Sequence, residues 1–170
     1  MKGKDIMFTK DDYKLWLKNK NNIELNKQMI EYFPFLLPRN RWTGLVSESY
    51  NYSYNEMFGM CEGWLIAFGY EMLCELREAL VVDNYLYDYT IMDIKEKYGT
   101  LRWYDAGSTA EVRHVIRKYC SMSAKVCQIC GEPASHMTQG WIGYFCKKCG
   151  RKLGAEPIPE DWWEDDDDEN

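Results

Sequence analysis

Apolar residues recur at helical spacing in three stretches of this chain. Leu25, Met29, Ile30 and Phe33 stand three and four apart and predict a helix over about 23–33. Leu65, Phe68, Met72, Leu76 and Leu80 repeat the same steps, while Glu71, Glu75 and Glu78 lie off the stripe. That pattern predicts an amphipathic core helix, the longest of the fold, ending near residue 82. Val112, Val115, Ile116 and Tyr119 mark a third helix. Start signals agree with these stretches. Thr9 before Lys10-Asp11-Asp12 reads as the N-cap of a short helix through Tyr13, Trp16 and Leu17, broken by Asn21-Asn22. Ser53-Tyr54-Asn55-Glu56 and Ser108-Thr109-Ala110-Glu111 read as capping boxes for the second and third stretches. Gly59 and Gly63 weaken the first turns of the long helix, so it is expected to begin in two pieces.

Two segments break the helical period. Pro34 and Pro38 exclude a regular helix across 33–42, leaving an apolar, extended segment packed across the core. Over 88–105 the pattern alternates loosely through Tyr89, Ile91 and Met92 to Ile94. Lys97-Tyr98-Gly99-Thr100 supplies a turn. Leu101 and Trp103 then share one face, with Arg102 and Tyr104 on the other. This is a β-hairpin. The expected fold class is α+β: a mostly helical core with a β-hairpin over 1–123, a module over 124–155 and a tail over 156–170.

That module is defined by Cys127, Cys130, Cys146 and Cys149, spaced C-x2-C-x15-C-x2-C, with Gly131 and Gly150 after each pair. Two residues between thiolates let one turn aim both sulfurs at a point. A following glycine can adopt positive φ and turn backbone N–H groups toward them. Two facing turns make a closed tetrahedral S4 site, which suits one structural zinc ion in a zinc ribbon or treble clef. Gly150 after the last cysteine favours a ribbon knuckle, and a helix starting there would make a treble clef. Iron is the rival metal, but d10 zinc requires no redox partner.

Composition sharpens this picture in two ways. The net charge of −6 over 170 residues is concentrated at one end, where residues 160–169 hold eight acids and no base. Without them 19 acids face 21 bases, so bulk charge argues neither for nor against nucleic acid. No stretch approaches the eighteen apolar residues of a membrane span. Met-Lys-Gly-Lys-Asp leads into no apolar segment, so no secretory signal is expected. The odd count of seven cysteines predicts a reducing cytoplasm rather than a disulfide framework.

Catalytic signatures are sparse. There is no His-x-Glu, His-Glu-x-x-His, P-loop or Rossmann glycine pattern, and the two histidines, His114 and His136, stand on either side of the first cysteine pair. Both read as surface or hydrogen-bonded residues. Carboxylate chemistry would have to use Glu71, Glu75 and Glu78, or Asp93 with Glu96; a charged helix face is ordinarily a solvated one. Cys61, Cys74 and Cys120 read as small buried side chains. The basic residues Lys147, Lys148, Arg151 and Lys152 compensate the −2 charge of a zinc tetrathiolate, or form a small face for phosphates. In the tail, Trp162 and Trp163 precede Asp165, Asp166, Asp167 and Asp168. This is either a solvating tail or a partner-binding peptide, with indoles as anchors and aspartates meeting basic residues.

Three segments carry a resemblance: Phe33-Pro-Phe-Leu-Leu-Pro-Arg-Asn-Arg-Trp42, Ile94-Lys-Glu-Lys-Tyr-Gly-Thr-Leu-Arg-Trp-Tyr104, and Cys127-Gln-Ile-Cys-Gly131 with Gly140-Trp141. Together they resemble a family of uncharacterised small proteins of bacteria and their phages. Its members share an Ile-Lys-Glu-Lys-aromatic-Gly hairpin followed by a zinc-finger-like C-terminus. The resemblance spans about residues 33–150 and brings no catalytic residues. It implies a phage or prophage origin, and raises the expectation of a non-enzymatic protein that engages, or inhibits, a host protein or protein–nucleic-acid complex in the host cytoplasm. A nucleic-acid-binding zinc module and a carboxylate enzyme are the alternatives.

Overall fold

A computed structural model describes residues 7–163. The chain opens with helix α1 (Lys10–Lys18), capped as its sequence predicts: Thr9 accepts from the Asp12 N–H and the Asp12 carboxylate accepts from the Thr9 N–H. Asn22 caps α2 (Ile23–Tyr32) through the Leu25 N–H. The proline segment is not extended. Pro34–Leu36 forms a 3-10 turn that drives Phe33, Phe35 and Leu36 into the core, because Pro34 at the first position of a turn fixes the φ the turn needs.

The long helix does begin in pieces. Asn55, rather than Ser53, caps a 3-10 turn at Glu56–Gly59. After Cys61 the chain runs through α3 (Glu62–Trp64), a π-helical stretch at Leu65–Gly69 and α4 (Tyr70–Val82). The π stretch has a visible cause. The Tyr13 hydroxyl donates to the Leu65 carbonyl at 2.8 Å, and a Cβ on Gly69 would lie 2.1 Å from that hydroxyl. A side chain inserted into the helical ladder re-routes its hydrogen bonds.

Strands β1 (Thr90–Lys97) and β2 (Thr100–Ala106) form the predicted antiparallel hairpin, with Lys97 opposite Thr100 and a bulge between Ile91 and Asp93. Leu101 and Trp103 face inward, and Arg102 and Tyr104 outward. Helix α5 (Ala110–Ser123), capped by Thr109, packs on β2 and α4. These elements enclose one core that includes Trp16, Trp64, Phe68, Met72, Leu76, Leu101 and Val112. Its buried polar groups are satisfied. Asn26 accepts from the Trp16 indole and the Asn55 amide and donates to the Lys20 carbonyl, and Ser123 accepts from the Leu101 N–H.

A second, three-stranded antiparallel sheet lies C-terminal: β3 (His136–Met137) in the centre, β4 (Tyr144–Phe145) on one side and β5 (Glu156–Pro157) on the other. Between β4 and β5 runs a short helix, α6 (Lys147–Arg151). Residues 156–163 are therefore not a free linker. The Ile158 N–H donates to the Ser135 carbonyl, and Ile158 and Trp163 pack on Ala124, Met137 and Tyr144. No helix among the described residues is long and apolar enough to cross a membrane.

Candidate metal centre

The first cysteine pair sits on a turn set by backbone bonds. The Cys127 N–H donates to the Glu132 carbonyl at 2.7 Å and the Gly131 N–H to the Cys127 carbonyl at 3.0 Å. Gly131 takes φ +82°, the conformation its position demands. The second pair uses a different device. Cys146 is the N-cap of α6, its sulfur accepting from the Cys149 N–H at 3.4 Å, so both sulfurs lie at the helix start. The ribbon knuckle favoured by Gly150 thus gives way to a helical turn. Gly150 instead lies inside α6, where a Cβ would meet that of Ala155 at 2.8 Å.

The four sulfurs lie within 4.8 Å of one another, with Cys130 and Cys146 at 3.7 Å. Zinc–sulfur bonds of about 2.3 Å in a tetrahedron place sulfurs about 3.8 Å apart. The donor set and its spacing fit a metal ion bound by four thiolates. The thiol titrations follow the same geometry. Burial raises Cys127, but N–H groups of Cys130, Cys146 and Ile129 outweigh it and bring the thiol down to about 7. Cys149 is pushed up to about 12, first by the Cys146 thiol and then by burial and the remaining cysteines. One thiolate forms readily among the four, and the later ones need a cation to offset their mutual repulsion. A bound metal would supply that charge and cross-link the two turns.

The other candidate residues are dispersed. His136 lies in β3, its Nδ1 2.8 Å from the Ser135 hydroxyl and outside the sulfur cluster. Lys147, Lys148, Arg151 and Lys152 are all on or just after α6, at the surface. Trp162 and Trp163 dock on the module: the Trp162 indole donates to the Tyr144 hydroxyl at 3.0 Å, and the Trp163 ring lies 5.2 Å from the Tyr144 ring. Asp165, Asp166, Asp167 and Asp168 lie outside the described residues. The helix carboxylates have partners: Glu71 pairs with Lys10, and Glu75 accepts from Lys118 and Tyr119. Burial lifts Glu75, yet those two bonds hold it below the usual carboxylate range. Asp93 lies 3.2 Å from Lys95 and 3.7 Å from Arg41, and the Glu96 carboxylate accepts from the Gly99 N–H at 2.6 Å. Glu78 and His114 are exposed.

Two features escape the sequence pattern. Glu56 is pushed up to about 7 by burial, against the pull of the Arg39 N–H. Trp141, at 81% exposure, and Tyr98, at 64%, stand out from the module and the hairpin tip. For the two aromatics, a bulky ring next to a turn glycine was the available signal. For Glu56 there was none, because its burial comes from distant segments.

A scan against family models returns no match, and no curated protein or solved structure matches this chain.

Proposed function

We propose that this is a zinc-containing protein that acts by binding a macromolecular partner, with the metal in a structural treble-clef module. The observation that carries the reading is the closed sulfur cluster. Four thiolates this close would fill the coordination of a tetrahedral ion and leave no position for substrate or water, the arrangement of structural rather than catalytic zinc. A cysteine turn, a β-hairpin and a short helix starting at the third cysteine are the parts of a treble clef. The likeness to small bacterial and phage proteins supports a host protein, or a protein–nucleic-acid complex, as partner. Trp162 and Trp163 dock on Tyr144 of the module, and the aspartate run that follows them in sequence is the segment we assign to meeting a basic surface of the partner.

The test has two arms. Metal analysis of purified protein should give one zinc per chain and a colourless sample; a red protein would assign iron, and absence of metal would overturn the structural reading. Affinity capture from host lysate, with mass spectrometry, should retain a defined partner that is lost when residues 164–170 are removed. Capture unaffected by that truncation would remove the tail from the interface. No specific capture by the metal-loaded full chain would remove the binding function itself.

A nucleic-acid reading rests on the placement of Lys147, Lys148, Arg151 and Lys152 along one short surface stretch. It requires a salt-dependent gel shift abolished by charge reversal there.

A further inference from the structure

Where the hairpin tip meets the metal module, two grooves share a wall. One, about 220 Å³, lies between Lys97-Tyr98 and Gly140-Trp141. The other, about 450 Å³, lies between Tyr98, Arg102 and Trp162. Tyr98 and Ile142 line both, so the two grooves adjoin in one trough-like surface flanked by three aromatic side chains: Trp141, Tyr98 and Trp162.

The backbone beneath Tyr98 and Trp141 is held in place, and so is the Trp162 ring. Tyr98 takes φ +52° and Gly99 φ +78°, the paired left-handed residues of a two-residue hairpin turn. That conformation is costly for a tyrosine, and backbone strain of this kind collects at functional positions. The Glu96 carboxylate clamps the turn through the Gly99 N–H, and Gly99 lies so close to the Tyr144 ring that a Cβ would approach it to 2.7 Å. Trp141 rides a loop closed on Thr138, whose hydroxyl donates to the Trp141 carbonyl at 2.5 Å and accepts from the Gly143 N–H at 2.9 Å. Trp162 is held by its indole bond to Tyr144. A backbone held in this way lowers the ordering cost of binding.

We infer that this trough, between Trp141, Tyr98 and Trp162, binds an extended proline-rich peptide segment carrying Lys or Arg at the end that lies beside Trp162. The inference rests on the binding function proposed above and names its site. Aromatic rings exposed along a groove suit a polyproline II helix, whose carbonyls lack internal partners. Lys97 and Arg102 stand at the trough to donate to those carbonyls. Charge sets the direction. Glu160 and Asp161 are exposed beside Trp162, and Asp161 lines the same groove. These two carboxylates attract a basic peptide terminus and repel a polyanion such as single-stranded DNA, which would otherwise stack on the same rings.

The test uses the metal-loaded full chain against arrayed dodecapeptides with a proline-leucine core and a triple-arginine end, a triple-glutamate end or no charge. A fluorescent oligothymidylate and the peptide Glu-Asp-Asp-Asp-Asp-Glu-Asn serve as competing occupants. Peptides with the arginines at one particular end should bind most tightly, and weaken with salt. Trp141→Ala and Tyr98→Ala should each reduce binding about tenfold or more. Trp42→Ala, an exposed tryptophan that lines neither groove, should leave it unchanged. Retained zinc and unchanged circular dichroism will show that the trough variants fold; a variant that fails this check is replaced by Trp141→Phe, with a smaller loss expected. Four results would each overturn the inference: no binding to any arrayed peptide, equal binding of the arginine and glutamate peptides, preference for oligothymidylate or the acidic heptapeptide, or insensitivity to the trough substitutions. Lysate capture that persists in the Trp141→Ala/Tyr98→Ala double variant would remove the trough while leaving the wider binding function standing.

Discussion

The helical body and the cysteine module solve the problem of staying folded in opposite ways. The body buries a continuous set of large side chains, from Phe8 and Trp16 through Trp64 and Leu76 to Trp103 and Tyr119. The module's own core has three fully buried members, Ala124, Met137 and Tyr144, edged by Ala134, Ile142, Ile158 and Trp163. Its strands are two residues long and its helix five. So small a core offsets little of the entropy of ordering the chain, and a metal cross-link through the four sulfurs would supply the rest. In the body, sequence periodicity is the stabilising device. In the module, periodicity is almost absent, and four clustered sulfurs stand ready to take its place by holding a metal.

The largest effect should come from breaking that difference directly. Removing the metal with a strong chelator, or replacing Cys130 with Ser, should unfold residues 124–163 while α1, α2, α4 and the hairpin remain. Structural zinc contributes about 10 kcal/mol or more in small domains, far above what this core can replace. Amide hydrogen exchange should show protection lost in β3, β4 and β5 and kept in α4. Uniform loss across the chain would mean that the two regions fold as one unit. Metal affinity should also fall as pH drops through about 7, because protons compete for a Cys127 thiol that titrates there.

The border between the regions is the next place to press. The Gly63 N–H donates to the Gln128 carbonyl at 2.9 Å, and a Cβ on Gly63 would lie 1.9 Å from the Cys127 carbonyl oxygen. Helix propensity alone says that Gly63→Ala should stabilise by about 1 kcal/mol. The backbone clash says the opposite, and backbone cannot move aside as a side-chain tip can. We expect Gly63→Ala to destabilise by about 3 kcal/mol, read as a drop in thermal midpoint together with weaker zinc retention. A raised midpoint would show that the regions do not meet as closely as described. Gly59→Ala should act similarly on the body alone, since its Cβ would lie 2.2 Å from the Ile94 carbonyl oxygen.

These glycines mark where the sequence stops being readable. Local rules identified the Thr9 cap, the alternation of Leu101 and Trp103 and the cysteine spacing, because each is decided within a few residues. Gly59 and Gly63 look like helix weaknesses until the partners they admit, Ile94 and Cys127, are seen. The π stretch at Leu65–Gly69 depends on a hydroxyl from Tyr13, 52 positions away from its acceptor. Pro34 excludes a long helix but cannot say that Phe33 and Phe35 turn inward. The helix beginning at Cys146 replaces a ribbon turn because Gly150 is needed for contact with Ala155 rather than for a positive φ. The clustering of the four cysteines was legible from spacing. The aromatic trough was not, since it joins residues 98, 141 and 162 only through packing.

The module's outer edge should respond more weakly than its metal. Trp163 covers Tyr144 and is only partly buried. Trp163→Ala should lower module stability by about 2 kcal/mol, less than a fully buried aromatic would cost. The readout is hydrogen exchange in β3 and β4, with α4 unchanged. Truncation after Trp163 should leave those amides as protected as in the full chain. Equal losses from the two changes would place the stabilising contact beyond residue 163.

The smallest effect lies in the body and has a sign that separates it from the metal. Burial holds the Glu56 carboxyl up at about 7, against the pull of the Arg39 N–H; Asp93 adds to the rise and Arg41 opposes it. The unfolded carboxyl titrates near its ordinary value of about 4.3. Between these values the folded state binds more protons than the unfolded state, so this group makes stability fall as pH rises through the window. Above about 7 the cost is complete. Glu56 is partly exposed, so the effect should be on the order of 1 kcal/mol after solvent screening. The cysteines act in the other direction, because acid releases the metal. Comparing the full chain with Glu56→Gln across about pH 4.5–7.5, a range that brackets both carboxyl values, subtracts that shared metal term. The variant should gain stability relative to the parent as pH rises, with the difference levelling off near pH 7. A difference independent of pH would mean that Glu56 ionises as freely in the folded chain as in the unfolded one.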